Sequence, residues 1–166
     1  MAYSTIPKVR RDGTITLKDA GAVTLVVSYE EGNFSVDIPK DDQTVIRDRS
    51  TITTVRKGDE QPITGSFSFY FRDFTDDEAG SVRDFINKEN FYSGNTSTGA
   101  TGAPFVEFYC IDIDFTIDGS LDGNNTTDPK MTLQRAVCTF SLAEGDPGTY
   151  TVNFTAYGGV TYSKGT

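Results

Sequence analysis

The sequence predicts a mainly β fold, a β-sandwich or open barrel with one flanking α-helix. Three observations carry that expectation. The run 63–72 alternates strictly, with Ile63, Gly65, Phe67, Phe69 and Phe71 on one face and Thr64, Ser66, Ser68, Tyr70 and Arg72 on the other. That is the pattern of a strand with a core side and a wet side. The chain holds 12 Phe and 8 Tyr together with abundant Thr, side chains that suit a pleated, half-buried surface. Turn-forming clusters recur between short apolar runs and mark roughly seven or eight strands. At 166 residues the chain is long enough for one domain with a real core and too short for two.

Read in order, residues 1–12 form a polar, flexible arm with Pro7 and the basic Lys8, Arg10 and Arg11. Thr14-Ile15-Thr16-Leu17 alternates, Asp19-Ala20-Gly21 reads as a turn, 23–29 is apolar, and Phe34, Val36 and Ile38 alternate up to Pro39. This stretch is expected to be a β meander. Between 43 and 57 the pattern weakens, with Val45, Ile46, Ile52 and Val55 scattered among Thr, Arg and Ser. Either extended strands or an excursion that orders against a partner fits it. The single helix is expected at about 75–88. Thr75-Asp76-Asp77-Glu78 has the spacing of a capping box, and Ala79, Val82, Phe85 and Ile86 make one apolar face.

Beyond a Ser/Gly/Thr-rich loop, 105–117 is a long strand whose apolar phase changes near Cys110, which predicts a bulge or bend there. An Asn/Asp/Gly-rich loop follows. The runs 131–142 and 149–157 then form a hairpin around Glu144-Gly145-Asp146-Pro147-Gly148. The expected layout is an arm over 1–12, one β domain over 13–157 and a C-terminal tail over 158–166.

Histidine is absent, which removes Ser-His-Asp and Cys-His nucleophile activation and the usual zinc sites. Cys110 and Cys138 sit inside expected strands and read as small buried hydrophobes. The glycine spacing of 94–101 resembles a phosphate loop but lacks its lysine and follows a helix instead of a strand. Asp112 and Asp114 are spaced like paired carboxylates, yet an acidic wet strand face is the commoner cause of that spacing. The loop 118–125 does not keep the order of a calcium loop. No catalytic residue, metal site or cofactor is expected, and the chain reads as a non-enzyme. No run is apolar and long enough to span a bilayer, and the opening residues lack a secretory signal, so synthesis in a cytosol is the expectation.

The net charge of −9 is unevenly spread. Arg47, Arg49, Arg56 and Lys57 face only Asp48 within 43–57, whereas 105–128 holds six carboxylates and no basic residue. Opposite local charge in separate segments suits head-to-tail pairing of copies.

Several stretches together resemble the tail tube, or major tail, proteins of long-tailed bacteriophages. They are the Ala2-Tyr3-Ser4-Thr5-Ile6-Pro7 arm, the Asp12-Gly13-Thr14-Ile15-Thr16-Leu17 strand, and Gly58-Asp59-Glu60-Gln61-Pro62-Ile63-Thr64-Gly65-Ser66-Phe67. The last is a polar excursion returning to a core strand that runs into one capped helix. The resemblance covers most of the chain as an order of elements. It implies a virion protein, made in the bacterial host cytoplasm, whose copies form stacked hexameric rings with a continuous β-lined bore. The inner tube of type VI secretion systems shares that architecture. DNA passes through an acidic bore without specific binding, and tape measure and tail-end proteins are implied partners.

On this reading Asp112 and Asp114, with Asp37, are the candidate bore-lining residues. Ile6, Pro7, Lys8, Arg10, Arg11, Arg47, Arg49, Arg56 and Lys57 are the candidate contacts between subunits or rings. Two alternatives stay open: a monomeric binding module for carbohydrate or a receptor, carrying Phe91, Tyr92 and Tyr109 on its loops, and another virion structural protein such as a tail terminator or decoration protein.

Overall fold

A computed structural model describes residues 13–27, 33–70, 81–99, 108–117, 128–145 and 148–163. Ten strands, one α-helix and one short 3-10 helix (Asn90–Tyr92) occupy them: β1 (Gly13–Lys18), β2 (Thr24–Val27), β3 (Ser35–Asp37), β4 (Gln43–Asp48), β5 (Thr51–Lys57), β6 (Ile63–Tyr70), α1 (Val82–Asn87), β7 (Ile111–Ile117), β8 (Lys130–Ala143), β9 (Thr149–Ala156) and β10 (Val160–Ser163). The main sheet runs β2-β1-β7-β8-β9-β6-β3, with β10 also paired to β8. All of its neighbouring strands are antiparallel. The expected mainly β architecture is what the chain adopts, with one flanking α-helix among the described residues.

The sheet folds on itself around β8. Its first residues, through Ala136, pair with β7, and residues 136–143 pair with β9. At Arg135 the backbone turns to a positive φ of 55° and the register against β7 shifts. The partner strand is interrupted at the same level. Gln134 N–H donates to the Gly159 carbonyl (3.1 Å), Gly158 N–H to that of Gln134 (2.9 Å) and Tyr157 N–H to that of Arg135 (3.2 Å). Such a bulge bends a strand and increases its twist, so the two halves of the sheet face each other as layers. Phe34, beside β3 at one end of the order, stacks on Phe115 of β7 with centroids 4.5 Å apart and lies 6.1 Å from Phe154 of β9. Between the layers sit Ile15, Leu17, Phe67, Ile111, Ile113, Leu133 and Val152, all fully buried.

Three expectations are corrected. Residues 13–38 are not a meander, because β3 pairs with β6 at the far edge while β2 pairs with β1. The crossing puts Phe34 and Val36 against the core, with Phe34 between Phe115 of β7 and Phe154 of β9. The helix starts at Val82 instead of 75. Ser81 has extended backbone (φ −74°, ψ 160°) and its hydroxyl accepts the Asp84 N–H at 3.2 Å, so Ser81 is the N-cap. The Thr75–Glu78 capping box lies outside the described residues. Phe85 and Ile86 carry the helix onto the body, where it meets β8 and β2, and the Phe85 ring packs edge-on to Tyr92 at 4.9 Å. Finally, the segment beyond 157, expected as tail, contributes β10.

The phase change near Cys110 has a simple origin. The regular strand begins only at Ile111, and the bulge that adjusts the register is on the partner strand at Arg135. Both cysteines are free thiols, and burial, aided by the neighbouring Cys110, pushes the Cys138 thiol up to about 12.

Candidate assembly surfaces

Two surfaces stand out from the body. One is the polar outer face of the main sheet, and the other is the ribbon β4–β5.

On β7, Ile111, Ile113 and Phe115 point inward and Asp112 and Asp114 point to the polar face. Neither carboxylate is a free surface charge. Asp112 Oδ1 accepts the Arg135 N–H at 2.9 Å, tying β7 to the bulge of β8. Asp114 has a side chain only 3% exposed and pairs with Lys18 of β1 and with Lys130 of β8 (3.3 Å), while the Thr132 hydroxyl donates to its other oxygen. Burial alone would raise the Asp114 pKa; the Lys18 and Thr132 hydrogen bonds and the two ammonium charges outweigh it and hold the carboxyl below its ordinary value. Asp37, the third candidate, is exposed on β3 at the sheet edge.

A depressed pKa in the folded state gives stability that is present above the unfolded value, near 3.9, and is lost as pH falls through the folded one. Asp114→Asn is therefore expected to cost about 1–3 kcal/mol at neutral pH, the worth of hydrogen bonds to a charged group. Below about pH 4 the gap to the parent should close. Thermal unfolding of both proteins from pH 7 to pH 3 measures it, and a gap that stays constant across that range would refute the Asp114 assignment.

The ribbon is exposed on both sides along its whole length. Val45 pairs with Val55, and Arg47 with Ile52 after a register shift. One face thus carries Val45, Val55 and Ile52 between Arg47 and Lys57, and the other carries Ile46 with Thr44, Thr54 and Arg56. The apolar side chains remain 37–54% exposed. At the tip, Arg49 and Ser50 both have positive φ (44° and 71°), the geometry of a two-residue type I′ turn. The base is clamped. Lys57 pairs with Asp41 at 2.8 Å, Gln61 Nε2 donates to Asp42 at 2.9 Å, and Asp42 N–H donates to the Asp59 carbonyl at 3.0 Å. Gly58 permits this closure, since a Cβ there would press on the Asp42 backbone.

Arg47, Arg49, Arg56 and Lys57 all lie on the ribbon, but Arg47 and Lys57 are on one face, Arg56 is on the other and Arg49 is at the tip. Ile6, Pro7, Lys8, Arg10 and Arg11 lie outside the described residues. The sequence reading missed Lys18, Lys130 and Thr132 around Asp114, for which no local signal exists. It also missed the apolar stripe of the ribbon, whose alternation the bulge obscures. Of the three loop aromatics named from the sequence, Tyr92 is buried, Tyr109 accepts a hydrogen bond from buried Asn95 at 3.2 Å, and Phe91 is exposed. Among the described residues there is no cluster of metal-ligating side chains and no helix long and apolar enough to cross a membrane.

No family model matches the sequence, and no curated protein resembles it significantly. Solved structures do. A chain of the anti-feeding prophage cap, a tube-terminating cap, matches with a TM-score of 0.63 at 13% identity over 99% of this chain and 95% of its own. One from the extended sheath–tube complex of the PVC extracellular contractile injection system matches with 0.61 at 12%, covering 98% and 99%. The SPP1 tail tube protein matches with 0.56 at 8%, covering 96% and 80%. Over nearly its full length, the chain has the fold shared by chains of the SPP1 phage tail tube and of contractile injection-system assemblies.

Proposed function

We propose that this protein is a structural subunit of a phage-type tail tube, built from rings of identical copies stacked end to end. The observation that carries the reading is the full-length likeness in fold to the SPP1 tail tube protein. The ribbon supports it, because an isolated two-stranded hairpin is marginal in water and gains stability when a partner covers it. The sheet supports it too, since strands at its ends are edges that a second copy can satisfy. Six copies per ring, and passage of DNA through the bore, follow from the resemblance. Arg47, Arg49, Arg56 and Lys57, with the Ile6, Pro7, Lys8, Arg10 and Arg11 arm, are the contacts between rings. Asp37 is the bore carboxylate with its charge still exposed; Asp112 and Asp114 act there by holding the sheet together. Tape measure and tail-end proteins are the further partners, and the virion tail is the place of action.

A second reading, a ring-forming terminator, is favoured by the likeness to the tube-terminating cap. Negative-stain electron microscopy of the purified protein over a range of concentrations separates the two. Uniform tubes that lengthen with concentration are the expected result. Closed rings that never stack identify a terminator, and a monomer at every concentration, even with preformed tube ends added, sinks both.

A further inference from the structure

The ribbon β4–β5 and the strands β3 and β6 form one long hairpin interrupted at a joint. β3 pairs with β6 as far as Asp37 opposite Thr64, and pairing resumes with Gln43 opposite Lys57. Between those pairs lie five residues on one side (38–42) and six on the other (58–63). An antiparallel pair accommodates one extra residue as a bulge, and the hydrogen bonds locate it. Asp42 N–H donates to the Asp59 carbonyl at 3.0 Å, while the Asp42 carbonyl accepts from Gly58 N–H. Gly58 and Asp59 thus stand together opposite Asp42. Pro39 and Pro62 flank this point and have no N–H with which to extend the ladder.

The joint sets the direction of the arm. Every residue of β4 and β5 is exposed, so side-chain packing against the body does little to hold it. The joint itself is well tied. Gln61 Nε2 donates to the Asp42 carboxylate, and Lys57 pairs with Asp41. Gly58 is needed there, because a Cβ would lie 2.9 Å from both the Cβ and the carbonyl oxygen of Asp42. A bulge bends its strand and adds twist, so the arm leaves the sheet at an angle instead of prolonging it.

We propose that this bulge, Asp42 against Gly58 and Asp59, is the elbow that aims the arm at a second copy of the chain. The inference rests on the tube-subunit reading above and adds the element that positions its contact. The apolar face of the arm, Val45, Val55 and Ile52, is bordered by Arg47 and Lys57. From residue 58 onward the chain holds 16 acidic and 6 basic residues, so a second copy complements that border in charge. An arm that swung freely about the joint would surrender its freedom on docking, whereas one already held in place surrenders little. The extra residue therefore acts on assembly through direction, without touching the partner.

Deleting Asp59 leaves five residues opposite five, so the ladder can run straight through the joint while the arm keeps both of its faces. The variant is expected to hold the parental Tm to within about 2 °C. It should need at least about tenfold more protein to assemble, as read by sedimentation and light scattering. Asp59→Ala retains the extra residue and is expected to assemble like the parent. Assembly of the deletion variant at the parental concentration overturns the elbow. So does an Asp59→Ala that fails as the deletion does, since the carboxylate would then be the contact itself. If the deletion unfolds the protein, Asp42→Pro, which withdraws the N–H from the Asp59 carbonyl, takes its place: the same rise supports the elbow and parental assembly overturns it. A parent that assembles at no concentration is a different failure, that of the tube-subunit reading, and shows before any variant is made.

Discussion

Gly65→Val is expected to destabilise the protein by about 3 kcal/mol or more, the upper range for forced overpacking. A Cβ at this position would lie well under 3.0 Å from the Ser35 carbonyl oxygen and from the Phe154 ring. The first obstacle is backbone of the paired strand β3 and has no rotamer to escape into. The second is a ring already packed beside Phe34 and Phe67. Relief requires β3 to leave β6, which uncouples Phe34 from the facing layer. In a domain of this size the loss corresponds to a fall in Tm of about 6–12 °C. Thr64→Val, one residue away on the exposed face, is the control and should stay within about 0.5 kcal/mol. Calorimetry decides it: equal Tm for Gly65→Val and parent would mean that β3 does not seat on β6.

Replacing Val45 by Asp and Val55 by Lys is expected to leave the monomer folded and abolish its assembly. The two residues face each other across the ribbon, so an opposite-charge pair preserves cross-strand attraction while destroying the apolar stripe. Both side chains are about half exposed in the isolated chain, so little folding stability depends on them. In a stacked ring they would be covered, and losing the burial of two valines is worth about 3 kcal/mol or more per subunit. That raises the concentration needed for assembly at least about 100-fold. Sedimentation and light scattering across protein concentration provide the measurement, with circular dichroism as the check on folding. Assembly at the parental concentration would remove the ribbon from the ring contact. A separate charge reversal, Arg47→Glu with Arg56→Glu, should weaken assembly most at low salt and least at high salt, as screened charges do.

Much of the fold was legible because strand alternation is a local signal. Ile63 and Phe67 go inward, Thr64 stays outside, and β8 and β9 form the hairpin read from 131–157. The charge run falls on one ribbon, but the alternation of its two strands splits the run between the faces, with Arg56 opposite in sense to Arg47 and Lys57. The helix start was misread because Thr75–Glu78 and Ser81 both offer N-cap chemistry; within the described residues it is the Ser81 hydroxyl that meets a helical N–H. The meander was misread because nothing local distinguishes a strand that pairs with its predecessor from one that crosses to the far edge.

Local pattern sets the class of fold and the polar and apolar faces of its strands, and composition alone removes any imidazole base. The tertiary structure alone decided what the carboxylates do. Counted along the chain, 105–128 is uniformly acidic. In the sheet, β7 lies between β1 and β8, and that order brings Lys18, from the far end of the sequence, and Lys130 onto Asp114. Charge summed by segment is not charge summed by place, because Coulomb attraction acts through distances that only the strand order sets.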